Sequence, residues 1–430
     1  MLITLPYWIY KILRHGKYRA GLLDRLGRVP ARLGGSNTAE RVIWIHAVSV
    51  GEVIAVAGLV AEMRRNFPSH RLCVSTTTDT GQQLARKRFG EENVFYFPLD
   101  FAFAIRPYLR ALRPELVVLA ETEFWPNFLR LAHGSGARIV VVNARISDRS
   151  WPSYKRFQWV WRRVLAQVDM FLAQTEEDRM RLQSIGVEAS FVQVTGNLKF
   201  DGNVPAPSAI VENLQAGFAQ EGAGPILVCG STVESEESPL LRVFGTVKAA
   251  HPGAVMILAP RHPERFDEVA NLLEESSLPW RRRSQFHGEA LAGGVLLVDS
   301  IGELAAIYAL ADVAFVGGSL VPRGGHNIIE PAQHGVAIVV GNHTENFRDI
   351  ISLFKSRDAV RITDLATLPA TILELLANDN DSERRALGRR AADTVRSQTG
   401  ATARTLAALQ SLLAAHSDRA PVSAQAAHTD

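Results

Sequence analysis

The stretch HAVSVGEVIA, His46 to Ala55, joins two different hydrophobic patterns. Upstream, VIWIHAVSV reads as a buried strand, rich in β-branched and apolar residues. Downstream, EVIAVAGLVAEMRRNF carries apolar residues at helical spacing. Gly51 reads as a tight turn between them, and Glu52 then lies at a strand's carboxyl end and a helix's N-terminus. A strand that feeds straight into a helix is the building unit of a parallel sheet, whose ligands sit beyond the carboxyl ends of the strands. Partial positive charge at the helix start favours an ionised carboxylate at Glu52. Such a group can accept a proton from an attacking hydroxyl, or it can simply stabilise its helix.

The same alternation continues along the chain. HRLCVSTTT, PELVVLAE, ARIVVVNA, MFLAQ and SFVQVTG read as strands separated by helices. Residues 203–225 are rich in Pro, Gly and Ala and read as a linker with a short helix. The pattern resumes in PILVCGS, AVMILAP, GVLLVDS, VAFVGGS, VAIVVG and AVRIT. The prediction is an α/β protein with two Rossmann-like, doubly wound domains facing each other across a central cleft. The first domain spans 41–202 and the second 226–398. A C-terminal helix over 399–416 is expected to pack back on the first domain, followed by a disordered tail at 417–430.

The 430 residues carry a net charge of +3, too weak a bias to imply nucleic acid, and no nucleic-acid partner is expected. Cys73 and Cys229 both fall inside apolar runs, which suits two small core residues in a reducing compartment. Residues 1–40 differ from the rest. LITLPYWIYKIL is apolar and aromatic, and RHGKYRAGLLDRLGRVPAR is strongly basic. The apolar run falls short of the ~20 residues that span a bilayer. It suits an anionic membrane surface, or packing on the protein itself.

Other candidates follow the strand-end rule. LAETEFWPNFLR places Glu121 and Glu123 at the end of a strand, where alternation would point both carboxylates one way. Lys199, in TGNLKFD, is an available cation. In the second half, Pro260 and Arg261 leave a strand, and a guanidinium there can grip phosphate in bidentate fashion. Gly302 and Glu303 open a predicted helix. GGSLVPRGGHNIIEPAQHG surrounds Arg323 with four glycines and leads into a predicted helix at Asn327, which makes an N–H-rich anion cradle. Glu330 lies one turn into that helix. Between Arg145 and Arg163, basic residues interleave with Trp151, Tyr154, Phe157, Trp159 and Trp161, as a surface for an anionic amphiphile or as a helix with one packed aromatic face. The run Asp379–Asp381 reads as solvated charge rather than a metal site.

Taken in order, HAVSVGEVIA, ETEFWPN, NARIS, TGNLKFD, LAPRHPERF and GGSLVPRGGHNIIEPAQHG closely resemble the 3-deoxy-D-manno-octulosonic acid (Kdo) transferases of lipopolysaccharide synthesis. The resemblance runs to about residue 415. It implies a GT-B fold and inverting transfer of Kdo from CMP-Kdo to the lipid A precursor, at the cytoplasmic face of the inner membrane. It also implies no cofactor and no essential metal. Carried over by motif, it implies Glu52 as catalytic base, with Glu121 and Lys199 stabilising the transition state. Pro260, Arg261, Ile301, Gly302, Glu303, Asn327, Ile328, Ile329 and Glu330 would hold CMP. The two Rossmann-like halves alone also allow an epimerase, a transferase using a UDP-sugar, or a closing binding protein.

Overall fold

The computed structural model describes residues 20–34, 40–148, 150–202, 209–220 and 223–417. The apolar N-terminal run and the tail after Ser417 lie outside these residues, and so do the expectations placed on them. The chain divides into two compact units, residues 1–202 with 398–430, and residues 203–397.

The first unit is built on seven parallel strands: β1 (Arg41–His46), β2 (His70–Thr76), β3 (Val94–Tyr96), β4 (Pro114–Ala120), β5 (Arg138–Ala144), β6 (Met170–Ala173) and β7 (Val192–Val194). Their order is β3-β2-β1-β4-β5-β6-β7, so the direction of winding reverses between β1 and β4. The alternation of each strand divides its side chains between two cores. Val42, Trp44, Val117 and Leu119 join one cluster, while Ile43, Ile45, Leu116 and Val118 join the other. Helices therefore cover both faces, and each fully buried side chain of this size contributes ~1.5–3 kcal/mol.

The helix Ala401–Ser417 belongs to this unit. Ala401, Ala408, Leu409 and Leu413 enter the second of these cores. Its first turn is capped from far away in sequence. The Asp201 carboxylate accepts from Gly400 N at 2.7 Å and from Thr402 N, and Arg404 Nε donates to Thr195 O at 2.8 Å.

The second unit repeats the plan with β8 (Ile226–Thr232), β9 (Val255–Pro260), β10 (Trp280–Arg282), β11 (Val295–Leu297), β12 (Val313–Val316), β13 (Ala337–Val340) and β14 (Arg361–Ile362). The order is β10-β11-β9-β8-β12-β13-β14, with the reversal between β8 and β12. The segment read as a linker holds a 12-residue helix, Ala209–Gln220. Its Leu214 and Phe218 are buried among Val228, Ile257 and Ala314, so this helix is part of the second core. The short strands β3 and β10, three residues each, were not read from the sequence.

No helix among the described residues is long and apolar enough to cross a membrane.

Candidate active site

In the first unit the chemistry gathers at the carboxyl ends of β1 and β4, on either side of the winding reversal. After β1 the chain needs only Ala47 to Ser49 before the helix Val50–Asn66 begins. Ser49 is its cap, with extended backbone and a side chain that accepts from Glu52 N. Gly51 is thus the second helical residue and makes no turn, which corrects the reading of the sequence. Glu52 folds back over the cap. Its Oε2 accepts from Val48 N at 2.8 Å and its Oε1 from Ser49 Oγ at 3.1 Å. The spacing Ser49-x-x-Glu52 is close to a capping box, a signal present in the sequence and passed over there.

Glu52 is 8 % exposed. Burial, and next the charge of Glu121, push its carboxyl up from 4.5 to about 8, against the pull of the Val48 hydrogen bond. The carboxylate expected to remain ionised at a helix start is therefore protonated for most of the time at neutral pH. Desolvation outweighs the helix terminus here.

Strand β4 stops at Ala120, and Glu121 leaves it in the left-handed region at φ 58°. Its N–H still reaches Val142 O on β5 at 2.9 Å. Glu121 and Glu123 are thus presented by a turn rather than by strand alternation. Lys199 Nζ lies 3.2 Å from Glu121 Oε1. Lys199 rides on a short turn, Leu198–Asp201, capped by Asn197 Oδ1, which accepts from Lys199 N at 3.0 Å. Asn143, itself left-handed at φ 54°, pins the same turn to the end of β5 by accepting from Leu198 N at 3.0 Å. Burial, then the Glu121 charge, raises Glu123 to about 7. Glu52, Glu121, Glu123 and Lys199 therefore share one electrostatic neighbourhood. Glu123 was named from the sequence as a strand-end carboxylate without a catalytic role, and the positioning residue Asn143 was not singled out there.

The basic, aromatic stretch folds as two helices, Trp151–Arg156 and Gln158–Leu165. Trp151, Tyr154 and Trp161 pack against the core, whereas Phe157 and Trp159 are exposed among Arg156, Arg162 and Arg163.

In the second unit a buried carboxylate organises the glycine-rich loop. Glu236 accepts from Gly318 N (2.7 Å), Ser319 N (2.9 Å), Leu320 N (2.9 Å) and Val233 N (3.0 Å). It thereby ties the loop after β8 to the loop after β12. The loops meet so closely that a Cβ at Gly317 would lie 2.6 Å from Ser231 O and Thr232 Cα, which leaves room for glycine alone. Glu236 also escaped the sequence reading.

Pro260 ends β9, and Arg261 N donates to Thr232 O at 2.8 Å while its side chain is exposed. Beyond β11, Ile301 is exposed, Gly302 is left-handed at φ 94°, and Glu303 Oε2 is held by Ser300 Oγ at 2.6 Å and Arg283 Nε at 3.3 Å. The helix they precede, Leu304–Ile307, is a single turn. The helix expected at Asn327 spans only Ile329–Gln333. Neither has the length to act as an anion-binding helix terminus. Asn327 accepts from Ile329 N at 3.1 Å and donates to Glu330 Oε1 at 3.2 Å. Ile328 and Ile329 are buried, and Ile328 O accepts from Ala332 N at 3.2 Å. Burial raises Glu330, opposed by Asn327 and Arg261.

At Asp379–Asp381 the charges are used locally, with Asp381 pairing to Arg384 and Arg385. Among the described residues no three His, Cys, Asp or Glu side chains are grouped to hold a metal ion.

The profile of the 3-deoxy-D-manno-octulosonic-acid transferase (kdotransferase) family matches residues 20–202. A 3-deoxy-D-manno-octulosonic acid transferase of Bordetella pertussis is 36% identical over 422 residues, which cover 94% of this chain and 95% of the relative. The transferase of the same name from Haemophilus influenzae is 32% identical over 92% of each chain. Among solved structures, a UDP-N-acetylglucosamine 2-epimerase homologue from Listeria monocytogenes aligns with a TM-score of 0.57 at 15% identity, covering 89% of this chain and 98% of its own. That likeness concerns the fold alone, and with the two parallel seven-stranded sheets it gives GT-B. The relatives match nearly end to end and carry a shared name, and the chain belongs to the 3-deoxy-D-manno-octulosonic acid transferase family of glycosyltransferases.

Proposed function

We propose that this protein transfers Kdo from CMP-Kdo to a sugar hydroxyl of the lipid A precursor, with inversion at C2 and without a metal or other cofactor. The bond from the acceptor oxygen to C2 forms as the bond from C2 to the phosphate oxygen breaks. CMP departs with that electron pair, and the hydroxyl proton passes to Glu52. The observation that carries this reading is Glu52 itself, a buried carboxylate tuned to about 8 beside the Glu121–Lys199 pair. A base works best when its pKa lies near the operating pH, because a minor fraction is then ionised and that fraction is a strong proton acceptor.

Lys199 and Glu121 supply opposite charges at fixed positions, suited to a transition state in which the sugar becomes cationic and the phosphate more anionic. In the second unit, Arg261, the backbone at Ile301 and Gly302, Glu303, and Asn327 to Glu330 form the seat for CMP. Phe157 and Trp159, exposed among arginines, suit the boundary between a lipid's acyl chains and its phosphates. Together with the apolar and basic sequence of residues 1–40, they support a seat at the anionic cytoplasmic face of the inner membrane, peripheral or through an N-terminal anchor.

The test is product analysis. Purified protein with CMP-Kdo and tetraacylated lipid A precursor should yield a lipid heavier by one or more Kdo units, together with free CMP. Release of CMP with no change in the lipid would defeat the proposed acceptor, and turnover of a UDP-sugar in place of CMP-Kdo would defeat the donor.

A further inference from the structure

His326 lies next to Asn327, and nothing above gives it a role. The glycine-rich loop turns back on itself where Gly325 N donates to Gly318 O at 2.7 Å. This lays the imidazole on Gly318, where a Cβ would come within 2.7 Å of His326 Nε2. Nε2 is buried there with no hydrogen-bond partner. An imidazole nitrogen closed off in this way gains nothing from the protein, and Nδ1 is the nitrogen left to meet a ligand.

The groups acting electrostatically on His326 are Arg261 and His262, both on the segment that follows β9. Of these, Arg261 is also felt by Glu330, and His262 Nδ1 lies 3.8 Å from Glu264 Oε1. Burial, and next the Arg261 guanidinium, hold the imidazole down to about 4, so it is neutral near pH 7 and carries one N–H. The positive charge of Arg261 acting on a neutral ring with an unused N–H suits an anion. Among the parts of a nucleotide sugar, that anion is the phosphate.

We propose that His326 is a ligand of the donor's phosphoryl group, donating from Nδ1 to a phosphate oxygen beside Arg261. This rests on the CMP-donor reading and adds to it the residue that separates nucleotide from nucleoside. A hydrogen bond to a charged oxygen accounts for about 10–100-fold in affinity.

The test is calorimetry with CMP and with cytidine on the wild-type protein and three variants. Asparagine places its amide nitrogen near the position of Nδ1, and glutamine places it near Nε2. The inference expects His326→Ala and His326→Gln to bind CMP about 10–100-fold more weakly, His326→Asn to stay within about threefold of wild type, and cytidine to be unaffected throughout. Unchanged CMP affinity in His326→Ala would overturn it. So would an equal loss for cytidine, which would make His326 a prop for the loop, and so would retention in His326→Gln with loss in His326→Asn. Wild-type protein that binds neither CMP nor cytidine would instead overturn the donor reading on which the inference stands.

Discussion

Lys199 Nζ meets Glu121 Oε1 at 3.2 Å, and each residue is held there by backbone that leaves its strand abruptly. Glu121 sits in the left-handed region, where a non-glycine residue is uncommon. Lys199 sits on a turn whose N–H groups are taken by Asn143 and Asn197. Strain and capping of this kind position a pair more tightly than two flexible side chains could manage alone. Lys199→Met keeps much of the stem and removes the charge. It should lower kcat by about 10²–10³ while KM for CMP-Kdo changes little, as measured by steady-state kinetics. A variant with normal kcat would show the pair to be structural.

The raised carboxyl of Glu52 also makes stability depend on pH. Its folded value of about 8 lies above the unfolded value of 4.5, so the native state holds the proton more tightly. The contribution is therefore full below 4.5 and is lost as pH climbs through 8. Glu52→Gln removes this dependence and preserves shape, with its amide able to accept from Val48 N and donate to Ser49 Oγ. Thermal melts should show the variant gaining on wild type between pH 5 and pH 9, by a margin on the order of 5 °C. A constant difference across that range would mean that Glu52 is not desolvated as described.

Glu236 accepts four backbone N–H groups from two loops, and a glutamine could satisfy only one side of them. Glu236→Gln turns an amide nitrogen toward N–H donors. The variant should lose ~2–4 kcal/mol of stability in denaturant unfolding. It should also bind CMP more weakly, because the loop carrying His326 and Asn327 loses its anchor. Unfolding at the wild-type midpoint would contradict this account of the loop.

Much of this was legible in the sequence, because strand alternation and helical spacing are local. VIWIH and ELVVLA declare their strands, and the order of βα units gives two doubly wound sheets. The charged residues at strand ends were legible for the same reason. What escaped depends on distance in space rather than in sequence. The ionisation of Glu52 was misjudged because its burial is a property of the fold, and its neighbours Glu121 and Glu123 come from a turn more than sixty positions away in the chain. Asn143 and Glu236 escaped because a buried polar residue looks like any other until its N–H partners are known. The helix at Asn327 was overestimated because Pro331 and Gly335 bound it to one turn.

The central claim is that Glu52 takes the acceptor's proton, and the most direct measurement is turnover of CMP-Kdo by Glu52→Gln at matched pH. The account predicts a protein that folds, binds CMP with wild-type affinity and transfers Kdo at least about 10²-fold more slowly. Transfer at near wild-type rate by a folded Glu52→Gln protein would contradict it.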